Sequence, residues 1–261
     1  MSIMRKEVEL SARMQAIADL VTPGNVVCDV GCDHGFLSIY LVQSKISPRV
    51  IAMDVRSGPL ARCVEHVAQY GLEQYITMRL SDGLEHLQPG EADAVVCAGM
   101  GGRLMQRILT QGSHKALGLK ELILQPQSEL KAFREFLRKQ GYRTVEENMI
   151  EEDGKFYPMM KVVPHKLASA VEKSTVSDTT VDVVVSQEGE DAGQDSVYDR
   201  FGKKLLTGAN PVLYRFLKQR EAQLLGIRES ILGTSHTGAP ERLCEIDSEL
   251  ADIREAFQYY K

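Results

Sequence analysis

The chain has 261 residues, of which 43% are hydrophobic and 26% are charged, a composition that fits one sizeable globular core with an appendage. No apolar run approaches the ~20 residues of a membrane helix. The opening residues "MSIMRKEVEL" lack the apolar centre of a signal peptide, so we expect a cytoplasmic protein. The five cysteines are odd in number and scattered, which argues against a disulfide framework and against a metal site.

The net charge of −5 conceals two unlike regions. Residues 101–143 hold nine Lys or Arg against three Glu, whereas residues 172–200 hold eight Asp or Glu against two Lys or Arg. Because an acidic segment masks a basic one, the total charge does not exclude a nucleic-acid partner.

An amphipathic helix is predicted first, over 7–21, and the turn residues "TPGN" end it. Apolar strand-like runs and helical patterns then alternate along the chain. This alternation predicts an α/β fold with a parallel, doubly wound sheet. The predicted strands are 26–30, 49–55, 76–80, 92–99 and 121–126, and the predicted helices are 35–44, 58–70, 102–110 and 128–140.

Two further predicted strands, 143–152 and 156–164, are separated only by "DGK". So short a connection cannot carry a parallel crossover, and it predicts an antiparallel hairpin. Five alternating units that end in such a hairpin are typical of S-adenosylmethionine-dependent methyltransferases of the Rossmann-like class.

The C-terminal part of the chain differs in pattern. Residues 165–197 are rich in Ser, Thr, Val and acids and are predicted to be an acidic linker, with room for a short strand at 181–185. Asn210 and Pro211 then mark a helix start. Two apolar seams predict an antiparallel helical hairpin: Leu213, Leu217, Leu224, Ile227 and Ile231 on the first helix, and Leu243, Ile246, Leu250, Ile253 and Phe257 on the second. The predicted domains are therefore 1–164, the linker 165–197, and a helical domain 198–261.

The turn "DVGCDHG" at 29–35 is the first candidate site. Gly31 permits a tight turn after the first strand, and Gly35 lets the next helix start close to a ligand. Asp54 ends the second strand, where an acid can accept hydrogen bonds from ribose hydroxyls, and Asp82 follows the third, where it can accept from an adenine amino group. Three acids at the ends of successive parallel strands predict one nucleotide-binding crevice, whereas each acid alone would be an ordinary loop residue or cap.

The segment "CAGMGGRLM" at 97–105 follows the fourth strand and is the candidate acceptor site. Its glycines allow close backbone approach, and no Asp/Asn-Pro-Pro-aromatic motif of amino-methylating DNA enzymes is present. Cys97 is predicted to point into the core, so a covalent mechanism is not supported.

Seven stretches together resemble the bacterial tRNA (adenine-N1)-methyltransferase family that modifies adenosine 22: "LSARMQAIADLVTPG", "DVGCDHGFLSIYLV", "AMDVRSGPL", "RLSDGL", "AGMGG", "ILQPQ" and "DRFGKKLL…NPVLYRFL". The resemblance runs through residues 8–163 and resumes at 198, and segment 165–197 departs from the family's pattern by its length and acidity. The resemblance implies S-adenosylmethionine as cofactor, a Rossmann-like catalytic domain, and a C-terminal coiled-coil-like domain that helps to hold tRNA.

Asp29 is the first candidate for electrostatic stabilisation of the reaction, and anchoring the glycine turn or the cofactor's amino group is an equal alternative. The other expected catalytic or acceptor-site residues are Gly99, Met100, Gly101, Gln125 and Pro126. The expected cofactor-binding residues are Asp29, Gly31, Asp33, His34, Gly35, Asp54, Val55, Ser81, Asp82, Gly83, Ala98 and Gly99.

A basic surface for tRNA phosphates is expected on two helices, formed by Arg103, Arg107, Lys131, Arg134, Arg138 and Lys139. The alternative is an ordinary solvated helix face. Phe156 or Tyr157, at the tip of the hairpin, would stack on a base unless they pack within the protein. Two other functions stay open: methylation of a protein or small molecule, and a non-catalytic RNA-binding module. We expect a monomer.

Overall fold

The sheet is built from short apolar runs that are buried on both faces, as expected of a parallel sheet covered by helices. The structure, a computed structural model, describes residues 7–111, 118–164, 195–233 and 239–261. Within these ranges seven strands form one sheet in the order β3-β2-β1-β4-β5-β7-β6. The strands are β1 Val27–Val30, β2 Val50–Asp54, β3 Ile76–Leu80, β4 Ala94–Met100, β5 Glu121–Pro126, β6 Tyr142–Glu152 and β7 Lys155–Pro164.

The first five strands are parallel, and β7 runs antiparallel to both of its neighbours. β6 consequently has the same direction as β5, and the turn after it lies at the carboxyl edge of the sheet. Asp153 and Gly154 in this turn both have positive φ, 51° and 69°, as a type I′ hairpin turn requires. The predicted parallel sheet and its terminal hairpin are confirmed.

Helices cover both faces of the sheet, because alternate strand residues point to opposite sides. One core cluster contains Ile17, Val27 and Leu37, and the other contains Cys28, Met105 and Phe133. The helices of the first face are α1 Ala12–Asp19, α2 Phe36–Gln43 and α3 Ser57–Gln69, and those of the second are α4 Gly102–Gln111 and α5 Leu130–Lys139. α1 begins later than predicted because Ser11 caps it, its hydroxyl accepting from the Met14 N–H at 3.4 Å.

The C-terminal helices form a third core cluster. They are α6 Asp195–Phe201, α7 Lys203–Thr207, α8 Pro211–Leu232 and α9 Ala239–Ala256, followed by a 3₁₀ turn, Phe257–Tyr260. The Asn210 side chain accepts from the Val212 and Leu213 N–H groups and caps α8, as predicted.

α8 and α9 pack antiparallel. Two ion pairs show this direction: Arg220 pairs with Glu249, and Arg228, later on α8, pairs with Asp247, earlier on α9. Most of the predicted seam is buried or half-buried, but Ile227 is 39% exposed and lies off the seam. Residues 165–194 of the predicted linker, including the strand expected at 181–185, lie outside the described residues. The last three residues of the predicted linker, 195–197, belong to α6.

None of the helices in the described ranges has the length and apolar character needed to cross a membrane.

Candidate active site

A cleft of about 650 Å³ opens at the carboxyl edge of β1, β2, β3 and β4. The topology brings the strand ends together there, which is where α/β folds bind ligands. Most of the expected cofactor residues line it: Asp29, Gly31, Asp33, His34, Asp54, Val55, Ser81, Asp82, Gly83, Ala98 and Gly99. Met100 lines it too, whereas Gly35, Gly101, Gln125 and Pro126 do not.

The glycine turn is shaped by backbone contacts. The N–H groups of Gly31 and Cys32 donate to the Met53 carbonyl at 2.8 and 2.9 Å, which closes the turn after β1. Gly31 and Gly35 both have positive φ, 75° and 77°. A Cβ at Gly35 would collide with Cys63 Sγ on α3. Gly35 therefore permits the close approach of α3, and its role in making room for a ligand stays a prediction.

Asp29 lies buried in the wall of the cleft, 5% exposed. Ser38 on α2 donates its hydroxyl to Oδ2 at 2.7 Å. Burial raises the pKa of Asp29 to about 6, the charge of Asp54 adds to the rise, and the Ser38 hydrogen bond opposes it. A buried carboxyl that titrates near neutral pH is suited to a functional site.

Asp54 is held by two backbone N–H groups. Its Oδ1 accepts from Arg56 at 2.8 Å and its Oδ2 from Asp33 at 3.3 Å. The second bond ties the end of β2 to the glycine turn, where Asp33 has a left-handed φ of 49°. The Asp54 carboxylate is therefore fixed in the cleft wall with lone pairs left to accept from a ligand.

Asp82 forms a two-pronged ion pair with Arg107 from α4, at 3.0 and 3.1 Å. Both residues line the cleft. The guanidinium of Arg107 is thus engaged by the acid beside it and half exposed, and the expected contact of Arg107 with RNA stays a prediction.

The irregular end of β4, at Gly99, is supported by Gln125. This side chain is fully buried, and its Oε1 accepts from the Gly99 N–H at 3.1 Å and from Arg13 Nη1 at 3.2 Å. Pro126 is buried as well. Gln125 and Pro126 are both buried and do not line the cleft, whereas Gln127 does, and a contact of the first two residues with the target base stays a prediction.

The two glycines that follow β4 serve packing. A Cβ at Gly101 would lie 3.1 Å from Ser128 Oγ, and a Cβ at Gly102 would lie 2.6 Å from the Ser128 carbonyl. Gly101 therefore lets the chain pack against the start of α5. Met100 turns towards the cleft, and a Cβ on Gly31 would collide with its Cε.

The basic residues of α5 mostly face the helical domain. Arg134 is 6% exposed, bonds to Glu147 of β6 at 3.0 Å and donates to the carbonyls of Asp199 and Arg200. Arg138 bonds to Asp199 at 2.9 Å, and Lys131 donates to Ser196 at 2.7 Å.

Arg134 is thus buried between α5, β6 and α6 and is not exposed to an RNA phosphate in this structure, while Arg138 and Lys131 are engaged with α6. Arg103 and Lys139 stay largely exposed, in ion pairs with Glu129 and Glu135.

The hairpin tip and α1 carry three further residues that bear on the site, Phe156, Tyr157 and Arg13. Phe156 packs edge-on against Phe216, with ring centroids 5.4 Å apart, so it belongs to the helical core and not to a base-stacking surface. Arg13 of α1 lies in the cleft with its guanidinium 5.4 Å from the Tyr157 ring centroid. Sequence reasoning missed Arg13 because its helix precedes the sheet and carries no ligand motif.

Comparison with known proteins places this site in a family. A family model described as a methyltransferase domain matches residues 10–160. The Bacillus subtilis tRNA (adenine(22)-N(1))-methyltransferase is 40% identical over 154 residues, which is 59% of this chain and 65% of that protein. The aligned stretch thus spans slightly less than two thirds of that relative.

Solved structures extend the likeness to the helical domain. The crystal structure of the B. subtilis M1A22 tRNA methyltransferase TrmK is 30% identical with a TM-score of 0.78, over 96% of this chain and 99% of that one. A Streptococcus pneumoniae protein crystallised with S-adenosyl-L-methionine is 27% identical with a TM-score of 0.75, over 95% and 99% of the two chains. With its acid-lined cleft and matching fold, the chain belongs to the methyltransferase-domain family and, within it, to the bacterial tRNA (adenine-N1)-methyltransferases.

Proposed function

We propose that this chain transfers a methyl group from S-adenosylmethionine to N1 of an adenine in tRNA, at adenosine 22. The observation that carries this proposal is the likeness to TrmK over 96% of the chain, which includes both the cleft and the helical domain. The 40% identity to a curated enzyme of that activity supports it within the catalytic domain.

The cleft residues fit the cofactor. Asp54 would accept from the ribose hydroxyls, and Asp82, held by Arg107, would accept from the adenine amino group. Val55 and Leu104 are exposed apolar side chains in the cleft wall, against which an adenine ring would pack. S-adenosylmethionine supplies a methyl group on a positively charged sulfur, which suits an acidic cleft.

The chain's own contribution to the reaction is position and charge. Adenine N1 has a lone pair and needs no covalent help, in keeping with Cys97, which is 1% exposed and whose pKa burial raises to about 12. Gly99 and Met100, at the end of β4, would hold the base in line with the methyl group. The Asp29 carboxylate would stabilise the positive charge that develops on the base, or fix the cofactor's amino group.

The tRNA must present an unpaired base, since N1 lies on the pairing edge. Arg103 beside the acceptor loop, Lys139 on α5, and Lys203 and Lys204 on α7 are the proposed phosphate contacts. We propose that the chain acts as a monomer.

The test uses the full chain, S-adenosylmethionine and a tRNA transcript with adenosine at position 22, with a matched transcript carrying guanosine there. We expect 1-methyladenosine by nucleoside mass spectrometry in the first transcript and none in the second. Equal methylation of both transcripts would overturn the assignment of adenosine 22 as the target. Cofactor binding without methylation of either would overturn the RNA substrate.

A further inference from the structure

Arg13 differs from the other arginines of the cleft in its charge environment. Arg107 is paired with Asp82 at 3.0 Å, and Arg56 lies 3.8 Å from Asp54. Among the described residues no acidic side chain forms an ion pair with Arg13, although it lines the same cleft. Within the described residues, Arg13 therefore brings to the site a positive charge that is not held in an ion pair.

The Arg13 side chain is nevertheless held in place. The backbone N–H of Arg13 donates to Glu152 Oε1 at 3.1 Å, Nη1 donates to Gln125 Oε1 at 3.2 Å, and the guanidinium lies over the Tyr157 ring. These contacts use one guanidinium nitrogen, Nη1, and one face of the Tyr157 ring. The other N–H donors of the guanidinium are left for a ligand. Because the side chain is already ordered, binding through it loses little rotamer entropy.

The position of Arg13 indicates which end of the cleft it serves. A Cβ placed on Gly99 would lie 3.5 Å from Arg13 Nη1 and 3.8 Å from Gln127 Nε2, so two nitrogen donors converge above the end of β4. The strand order puts this point on the opposite side of β1 from Asp54. Arg13 thus faces the methionine and acceptor end of the cleft, away from the proposed ribose contact.

We propose that Arg13 binds an oxyanion of a reactant at this end of the cleft, and that this contact positions the reactants for transfer. The inference rests on the proposed function. Asp29 and Asp54 make the cleft acidic, so an anionic group entering it needs a local cation. Two groups offer that chemistry: the carboxylate of the cofactor's methionine part, and a phosphate of the acceptor nucleotide.

The test compares Arg13→Gln, Arg13→Lys and the control Arg49→Gln, whose side chain is exposed at the amino end of β2, at the opposite edge of the sheet. Calorimetry measures the Kd of S-adenosylmethionine and of its decarboxylated analogue, and a steady-state assay measures KM for tRNA. Thermal unfolding verifies that each variant is folded. If Arg13 binds the carboxylate, Arg13→Gln raises the Kd of S-adenosylmethionine about 10- to 100-fold but not that of the analogue.

If the anion is the RNA phosphate, Arg13→Gln leaves both Kd values unchanged and raises KM for tRNA by a similar factor, while Arg13→Lys loses less because it keeps the charge. Unchanged Kd and KM values overturn the proposal, as does equal weakening of both cofactor forms, which would make Arg13 a structural residue. Failure of the wild-type chain to bind S-adenosylmethionine or methylate tRNA would instead count against the proposed function.

Discussion

The cleft and the junction between α5 and the helical domain are both built from charged side chains, but they use them in opposite ways. In the cleft, Asp29 and Asp54 are held by a hydroxyl and by backbone N–H groups, which leave the carboxylates able to accept more bonds. In the junction, Arg134 and Glu147 are bonded to each other and to the backbone of the next domain. The Asp29 and Asp54 carboxylates are thus left able to accept from a ligand, whereas the Arg134–Glu147 pair is enclosed in the junction.

Breaking the junction should have the largest effect. Arg134→Met leaves the Glu147 carboxylate, 1% exposed, without its buried cation, and we expect the free energy of unfolding to fall by about 3–5 kcal/mol. Urea unfolding followed by circular dichroism measures this. Lys139→Met on the same helix is the control, since its ammonium is 71% exposed and 3.9 Å from Glu135, and it should cost no more than about 0.5 kcal/mol. A loss under about 1 kcal/mol for Arg134→Met would contradict the structural role.

Removing an acid from the cleft should affect ligand binding more than folding. Asp54→Ala takes away the acceptor of the Asp33 and Arg56 N–H groups and the proposed ribose contact, so we expect the Kd of S-adenosylmethionine to rise about 10- to 100-fold. Calorimetry measures it, with the exposed Glu85→Ala as the control. Unchanged affinity would place the ribose contact elsewhere.

The titration of Asp29 gives a pH-dependent test. Because its pKa is raised from 3.8 to about 6, the folded chain holds more protons than the unfolded chain between those values, and this group makes the free energy of unfolding fall as pH rises through that window. If the carboxylate assists transfer, kcat/KM should fall about tenfold per pH unit below 6.

Asp29→Asn separates the two roles left open for this residue. A role in transfer predicts low turnover and the loss of that acidic limb. Near-normal turnover with altered stability would instead make Asp29 an anchor of the glycine turn.

The smallest expected effect concerns Arg107, whose ion pair with Asp82 is partly exposed. Arg107→Gln should change the free energy of unfolding by less than about 1 kcal/mol and the Kd of S-adenosylmethionine by a few-fold, through Asp82. An effect on KM for tRNA alone would support an RNA-binding role for Arg107.

The same contrast explains what could be predicted from the sequence. Asp54 and Asp82 could be placed in one crevice because the alternation of strands and helices fixes the direction of each strand, and direction fixes which ends meet. The direction of the strands does not determine whether a helix side chain faces solvent or another part of the protein. Arg134 looked like a solvated or RNA-binding residue because its partners, Glu147 and the carbonyls of residues 199 and 200, are distant in sequence.

Glycines show the same limit. The turn at Gly31 and Gly35 was correctly located, but the need for glycine at 35 comes from Cys63, a contact between helices that spacing does not reveal. Gln125 lies at the predicted strand end, yet it is buried, because its amide oxygen accepts from the Gly99 N–H at the end of the neighbouring strand β4.

The terminal hairpin has a consequence for how separable the two domains are. β6 is the outermost strand of the sheet, and it also places Met149 in the core of the helical domain. A chain ended at residue 164 would therefore expose Met149 and Phe156, together with the Arg134–Glu147 pair, to solvent, and newly exposed apolar side chains promote self-association. The C-terminal helices thus cover two apolar side chains of the hairpin, so a stand-alone fragment would need Met149 and Phe156 replaced by polar residues.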